Sequence, residues 1–258
     1  MMGNELRLEA PPQRIISLVP SQTELLFNLG LKDELVGITK FCIHPEVWFK
    51  TKTRVGGTKK LNINTIRGLR PDLIIANKEE NTRHEIEQLQ QEFPVWVSDI
   101  LNLQDALTMI RGVGQLCHKN EAAQSIAASV EEAFGALQSF QRKPRVLYLI
   151  WQKPFMSVNS QTFIHDMLQR CGFENVCAAH PDRYPELTES EIFAMNPDWI
   201  FLSSEPFPFG EKHVTEFKSQ FPSSKTALVD GEYFSWYGSR LIDAGSYFSK
   251  LQKEYRLV

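Results

Sequence analysis

Two kinds of residue in this sequence have the chemistry to hold a ligand: single histidines, and aromatic side chains concentrated in segments that read as loops. Trp151, Phe155, Met156, Tyr184, Phe207, Phe209, Tyr233, Phe234, Trp236 and Tyr237 all fall in such stretches, where polar residues are the norm. Aromatic faces offer large apolar area at low entropic cost and suit a large, partly apolar ligand; the competing reading is that several of them close the ends of sheets. The six histidines stand singly, and no two share a helical face at metal-ligand spacing. His44-Pro45 and His180-Pro181 recur as a pair, which makes His44 the candidate for a ligand contact or an axial metal ligand. No resident cofactor is expected.

Catalytic templates are missing. The chain has no GxSxG elbow, Walker A loop or HExxH pattern; Gly112-Val-Gly114 lacks a third glycine and a preceding strand, and Gly56-Gly-Thr-Lys-Lys60 is too short an arc for phosphate. The four cysteines, Cys42, Cys117, Cys171 and Cys177, form no CxxC pair and read as buried small hydrophobes. A formal charge of −3 without a basic run gives no footprint for nucleic acid. With 258 residues, 42% hydrophobic and 23% charged, the chain is an ordinary globular protein long enough for two lobes. No stretch approaches the ~20 apolar residues that span a bilayer, and the start, Met1 to Pro12, has neither a basic nor an apolar leader region, so the sequence as it stands predicts a cytosolic protein.

The elements that must position these residues repeat. Arg14-Ile-Ile-Ser-Leu-Val19, a turn at Pro20-Ser21 and a helical pattern to Gly30 return as Arg145 to Ile150, a loop from Trp151 to Ser160 and a helical pattern to Gly172. Leu61 to Ile75, with its Arg-Pro-Asp turn, aligns without gaps on Leu187 to Phe201, with its Asn-Pro-Asp turn. Strands alternating with helices predict two α/β lobes with mainly parallel sheets, residues 13–117 and 144–258. A proline-free segment, 118–143, predicts one linker helix on the order of 35 Å long. Ligands in open α/β sheets bind beyond the carboxyl ends of the strands. Those ends are Pro20-Ser21, Lys40 to Pro45, Gly56 to Lys60 and Asn77 to Glu80 in the first lobe. In the second they are Trp151 to Asn159, His180 to Pro185, Ser203 to Phe209 and Glu232 to Arg240, so most apolar contact area is expected from that lobe.

The ordered set Arg14 to Glu24, Val36-Gly-Ile-Thr39, Val55-Gly-Gly57, Asn62 to Ile66, Arg70 to Ile75 and Ala194 to Asp198 resembles the class III solute-binding proteins, also called helical-backbone metal receptors, and most of all their cobalamin-binding members. The resemblance implies two Rossmann-like lobes joined by one long α-helix, a metal chelate in the inter-lobe cleft and delivery to an ABC permease. A periplasmic or membrane-surface location follows from the same resemblance, and a monomer is expected. Carried over position by position, the resemblance puts ligand contacts at Pro20, Ser21, Thr58, Phe155, Met156, Ser157, Tyr184 and, in the 234–240 loop, Trp236 and Tyr237; the reading of the loops themselves adds Trp151 and, as the residue facing the metal, His44. Thr58 and Tyr184 stand where the cobalamin binders carry tryptophans, and Asn64 and Ser190 where the family docks its permease through glutamates. The expected function is therefore non-enzymatic binding of a corrinoid, siderophore or haem. A cytosolic enzyme or chaperone acting on a tetrapyrrole or metal centre is the alternative.

Overall fold

The structure is a computed structural model and describes residues 6–140 and 142–255; Gln141, within the expected linker, and the first five residues of the stretch Met1 to Pro12 lie outside the described residues. The chain forms two compact units. The first takes the chain up to Ile100, then Gln104–Glu131 and Trp236–Leu241; the second takes Leu101–Leu103, Glu132–Ser235 and the chain from Ile242.

In the first unit the order is β1 (Ile15–Ser17), α1 (Pro20–Asn28), β2 (Leu35–Ile38), α2 (Glu46–Thr51), β3 (Thr53–Arg54), α3 (Ile63–Leu69), β4 (Leu73–Asn77), α4 (Arg83–Gln90) and β5 (Val95–Ser98). Two helices, α5 (Leu103–Leu116) and α6 (Asn120–Gly135), follow. The strands make one parallel sheet in the order β3-β2-β1-β4-β5, which explains why β1 and β4 are apolar up to their last residues, Ser17 and Asn77: both faces of a parallel sheet are covered. Ile16, Leu18, Ile66, Ile74, Ala76 and Leu89 fill the core on one side.

The second unit runs β6 (Arg145–Leu149), β7 (Phe155–Met156), α7 (Phe163–Arg170), β8 (Glu174–Asn175), β9 (Glu186–Leu187), α8 (Glu189–Met195), β10 (Trp199–Ser203), α9 (Glu211–Gln220), β11 (Lys225–Val229), α10 (Gly231–Ser235) and α11 (Leu241–Glu254). Its parallel sheet has the order β11-β10-β6-β8, and β7 pairs with β9 antiparallel. The mixed α/β class with two parallel-sheet lobes is as expected.

The repeated Pro-Asp turns are a repeated joint. Asp72 accepts from the backbone N–H groups of Gln13 (2.7 Å) and Arg14 (2.8 Å), while Arg14 Nε donates to the last helical carbonyl of α3, Leu69 (2.8 Å). In the second unit Asp198 accepts from Arg145 N–H (2.8 Å), and Arg145 donates to the carbonyls of Met195 (2.8 Å) and Asn196 (3.1 Å) at the end of α8. Both helices stop on a left-handed residue, Arg70 at φ 48 and Asn196 at φ 43. One carboxylate thus holds the incoming strand, and one arginine closes the orphan carbonyls of the preceding helix.

The linker differs from expectation. Its helix covers Asn120–Gly135, sixteen residues and so about 24 Å. It begins late because the chain turns sharply after α5: His118 takes φ 54, Lys119 N–H donates to Gly114 O at 2.7 Å, and Gly114 lies so close to Ala123 that a Cβ there would sit 2.2 Å from it. The chain passes from the first unit to the second between Glu131 and Glu132, inside α6.

Candidate functional site

At the carboxyl end of the first unit's sheet a buried polar network locks the loops. Pro20 opens α1, where its missing N–H costs nothing. Two turns of bonding follow. Gln22 Nε2 donates to Ser98 Oγ (2.5 Å), and Asn77 Nδ2 donates to the same oxygen (3.0 Å), tying α1 to β4 and β5. Asn81 Nδ2 donates to the carbonyls of Leu18 (3.2 Å) and Thr58 (3.1 Å), and its Oδ1 accepts from Asn77 N–H (2.9 Å). Thr58 is held in place, buried, by this bond to its backbone. Cys42 Sγ lies 3.1 Å from both Thr23 Oγ1 and Thr39 Oγ1, which pins the loop after β2. Burial pushes the Cys42 thiol up despite those two hydroxyls.

With its cysteine anchored below, that loop turns apolar side chains outward. Phe41 and Val47 are 50% and 54% exposed, Ile43 is also exposed, and His44 is half-buried between them. The His44 ring meets Trp236 edge to face, with centroids 5.6 Å apart. Trp236 and Tyr237 pack as part of the first unit and do not group with residues 144–258 as expected. Both are nearly buried, and burial, followed by the nearby Glu80, Glu79 and Asp99, pushes the Tyr237 hydroxyl well up, so it stays a neutral phenol. Ser21 is buried on α1, with its carbonyl beneath the backbone of Gly238.

In the second unit the aromatic residues divide. Trp151 and Tyr184 remain 39% and 37% exposed, Trp151 edge-on to Phe207 at 5.4 Å and Tyr184 beneath the Arg183 guanidinium at 5.8 Å. Met156 is half-buried and bridges Trp151 backbone to backbone. Phe155 turns inward instead, against Phe217 (5.6 Å) and Phe221 (6.4 Å). Ser157 is fully buried, its hydroxyl donating to Tyr148 O at 2.8 Å. Phe209 and Phe234 are core residues, and Tyr233 stacks on Tyr247 at 4.7 Å. For these the bland reading, closing the ends of a sheet, is the one the packing supports.

Sequence reasoning missed Phe41 and Ile43, two apolar residues in a loop otherwise marked only by its histidine, and Val47 in the first turn of α2 just after it. It also missed Asn81, which carries no pattern at all. Among the described residues no three His, Cys, Asp or Glu side chains come together as a metal site. The four cysteines are buried, and burial pushes each thiol up, Cys117 to about 12, which disfavours the thiolate form that ligates metals or attacks substrates.

Comparison with known proteins agrees with this architecture. Residues 15–226 match the model of the periplasmic binding protein family, and the chain belongs to that family. A vitamin B12-binding protein of Vibrio campbellii is 29% identical over 197 residues, covering 75% of this chain and 71% of that protein. One of Pectobacterium atrosepticum is 24% identical over 258 residues, covering 96% of this chain and 91% of its own. Among solved structures, the periplasmic vitamin B12 binding protein BtuF of Vibrio cholerae superposes with a TM-score of 0.80 at 22% identity, over 95% of this chain and 98% of that one. The periplasmic heme-binding protein RhuT of Roseiflexus sp. RS-1 superposes with a TM-score of 0.78 at 21% identity, over 92% and 98%. Cobalamin and haem binders thus share the fold, and the likeness of fold alone does not choose between their ligands.

Proposed function

We propose that this chain is a non-enzymatic binding protein for a metal chelate, with a corrinoid as the first candidate and haem or a ferric siderophore as the others, and that it serves as the substrate-binding component of an ABC importer. The observation that carries the reading is the match to the binding-protein family over residues 15–226, supported by relatives named for vitamin B12. The loops at the carboxyl end of the first sheet agree with it: a half-buried imidazole beside an indole, flanked by exposed Phe41 and Val47, suits a large flat ligand with a metal at its centre. In the second unit we assign contacts to Trp151 and Tyr184, which are exposed, and to half-buried Met156; Ser157 is buried, and Phe155 packs on Phe217 and Phe221.

A periplasmic or membrane-surface location accompanies this reading, and among the described residues no helix is long and apolar enough to cross a membrane. Docking to a permease would take place without the paired glutamates that the resemblance implies. Asn64 on α3 and Ser190 on α8 are exposed at those positions, Glu189 is exposed beside Ser190, and Glu191 is engaged by Thr188 in a capping box. The test is calorimetric titration with cyanocobalamin, cobinamide, haemin and a ferric hydroxamate siderophore. At least one should bind with a Kd of about 1 μM or tighter, some −8 kcal/mol; heat-silent, unsaturable behaviour with all four would refute the proposal.

A further inference from the structure

The segment Trp236–Leu241 is flanked in the chain by residues of the second unit, yet it packs in the first, and one stripe of α1 holds it there. Positions 21, 24, 25 and 28 lie on a single face of that helix. At the bottom of the stripe, Gly238 adopts φ +141 and passes so close to Ser21 O that a Cβ would lie 3.1 Å from it and 3.5 Å from Leu25 Cβ. One turn on, Arg240 makes a two-pronged bond to Glu24, Nε to Oε2 at 2.9 Å and a terminal nitrogen to Oε1 at 2.6 Å. The side chains of this pair are only 15% and 18% exposed. At the top, Asn28 Nδ2 donates to Ser239 Oγ at 2.7 Å.

The same guanidinium covers the face of Trp236, 4.7 Å from the ring centroid, and Trp236 in turn meets His44. We infer that Glu24 and Arg240 are a positioning pair: they fix the Trp236 indole against His44 and so set ligand affinity without touching the ligand. The dependence on ligand rests on the chelate-binding reading above; the placement of Trp236 does not. A planar guanidinium gripped by a carboxylate has one orientation, so the ring beneath it has one as well, and an ordered ring binds without paying for its own immobilisation. Lysine keeps the charge at this position but has no fork, so it cannot fix both partners at once.

The test reads Trp236 directly. The chain has five tryptophans, and the indole N–H resonance of Trp236 is the one lost in Trp236→Phe. In Arg240→Lys and in Glu24→Gln that resonance should shift or broaden while the other four hold. Affinity for haemin or cyanocobalamin should fall about tenfold in the same variants, the size expected of a partly desolvated cation–π contact. In a Trp236→Phe background, adding Arg240→Lys should change affinity by no more than about twofold, because the pair acts through the indole. If Arg240→Lys fails to fold, the nearly isosteric Glu24→Gln carries the same readouts. An unmoved indole resonance overturns the inference, as does an undiminished tenfold loss in the Trp236→Phe background, which would make Arg240 a direct contact. Failure of the wild type to bind any of the four chelates refutes the functional reading instead, and the resonance still decides the positioning.

Discussion

The two units fasten the loops beyond their sheets by different means: the first with polar side chains, the second with aromatic rings. In the first, Gln22, Asn77, Asn81, Ser98 and the Thr23–Cys42–Thr39 contact hold loop backbone in place and leave Phe41, Ile43 and Val47 outside. In the second, Phe209, Phe217 and Phe221 sink into one cluster with half-buried Phe155 packed against it, and of the expected contacts Trp151 and Tyr184 stay exposed and Met156 is half-buried. The joints beneath these loops are the same, one aspartate and one arginine per unit. A shared backbone frame therefore does not dictate where loop side chains go; polar anchoring leaves aromatic and aliphatic residues exposed, whereas aromatic anchoring buries them.

The largest effect that would sharpen this contrast is on stability. Phe217→Ala empties the centre of the second unit's aromatic cluster and should cost about 3–5 kcal/mol in urea denaturation, since the residue is fully buried. Phe155→Ala should also register mainly as lost stability; a folded Phe155→Ala protein with binding abolished and unchanged stability would put Phe155 back among the ligand contacts and break the comparison.

Next in size are the joints. Asp72→Ala and Asp198→Ala should each cost about 1–2 kcal/mol, the Asp72 change more, because Asp72 holds two backbone N–H groups and Asp198 holds one. Equal and negligible losses would mean that the repeat is one of shape and not of mechanism.

Much of this was legible in the sequence. The apolar runs of β1, β4, β6 and β10 and the two Pro-Asp turns carry local signals: a parallel strand must be apolar on both faces, and proline must stop the helix before it. The start of the linker helix was legible to within two residues, at 118 against Asn120, but its end was not: the helix stops at Gly135, well short of 143. Nor was the placement of Trp236. It depends on Glu24 meeting Arg240 across 216 residues, a contact with no local trace. Which loop aromatics turn inward was likewise decided by partners distant in the chain, as Phe155 by Phe217.

Helix caps give a smaller effect with a distinctive pH dependence. Asn62 caps α3 through Thr65 N–H, and Thr188 caps α8 through Glu191 N–H, so alanine at either should cost about 1 kcal/mol. Only α8 has the reciprocal carboxylate: the backbone N–H and then the hydroxyl of Thr188 hold the Glu191 carboxyl below its ordinary range. A depressed carboxylate stabilises the fold at and above its ordinary value, and that contribution is lost as pH falls through the lowered one. The gap between wild type and Thr188→Ala should therefore narrow in acid, while the gap for Asn62→Ala stays level; parallel behaviour would show that the carboxylate contributes nothing to the cap.

The smallest expected effect is Ser21→Ala, less than about tenfold in chelate affinity, because a single neutral hydrogen bond is worth about 0.5–1.5 kcal/mol. His44→Ala adds a qualitative mark: if the imidazole ligates the metal, the visible spectrum of the bound chelate shifts with its removal, and an unchanged spectrum leaves His44 as an apolar neighbour of Trp236.

The most direct measurement is an absorbance titration of wild type and Trp236→Ala, side by side, with cyanocobalamin, cobinamide, haemin and a ferric hydroxamate siderophore. The wild type should saturate with at least one of them at micromolar concentration or below, and Trp236→Ala should bind that chelate roughly thirtyfold more weakly, as expected for the loss of a stacked tryptophan worth about 2–4 kcal/mol. Saturation with none of the four, or equal affinity in the two proteins, would contradict the account.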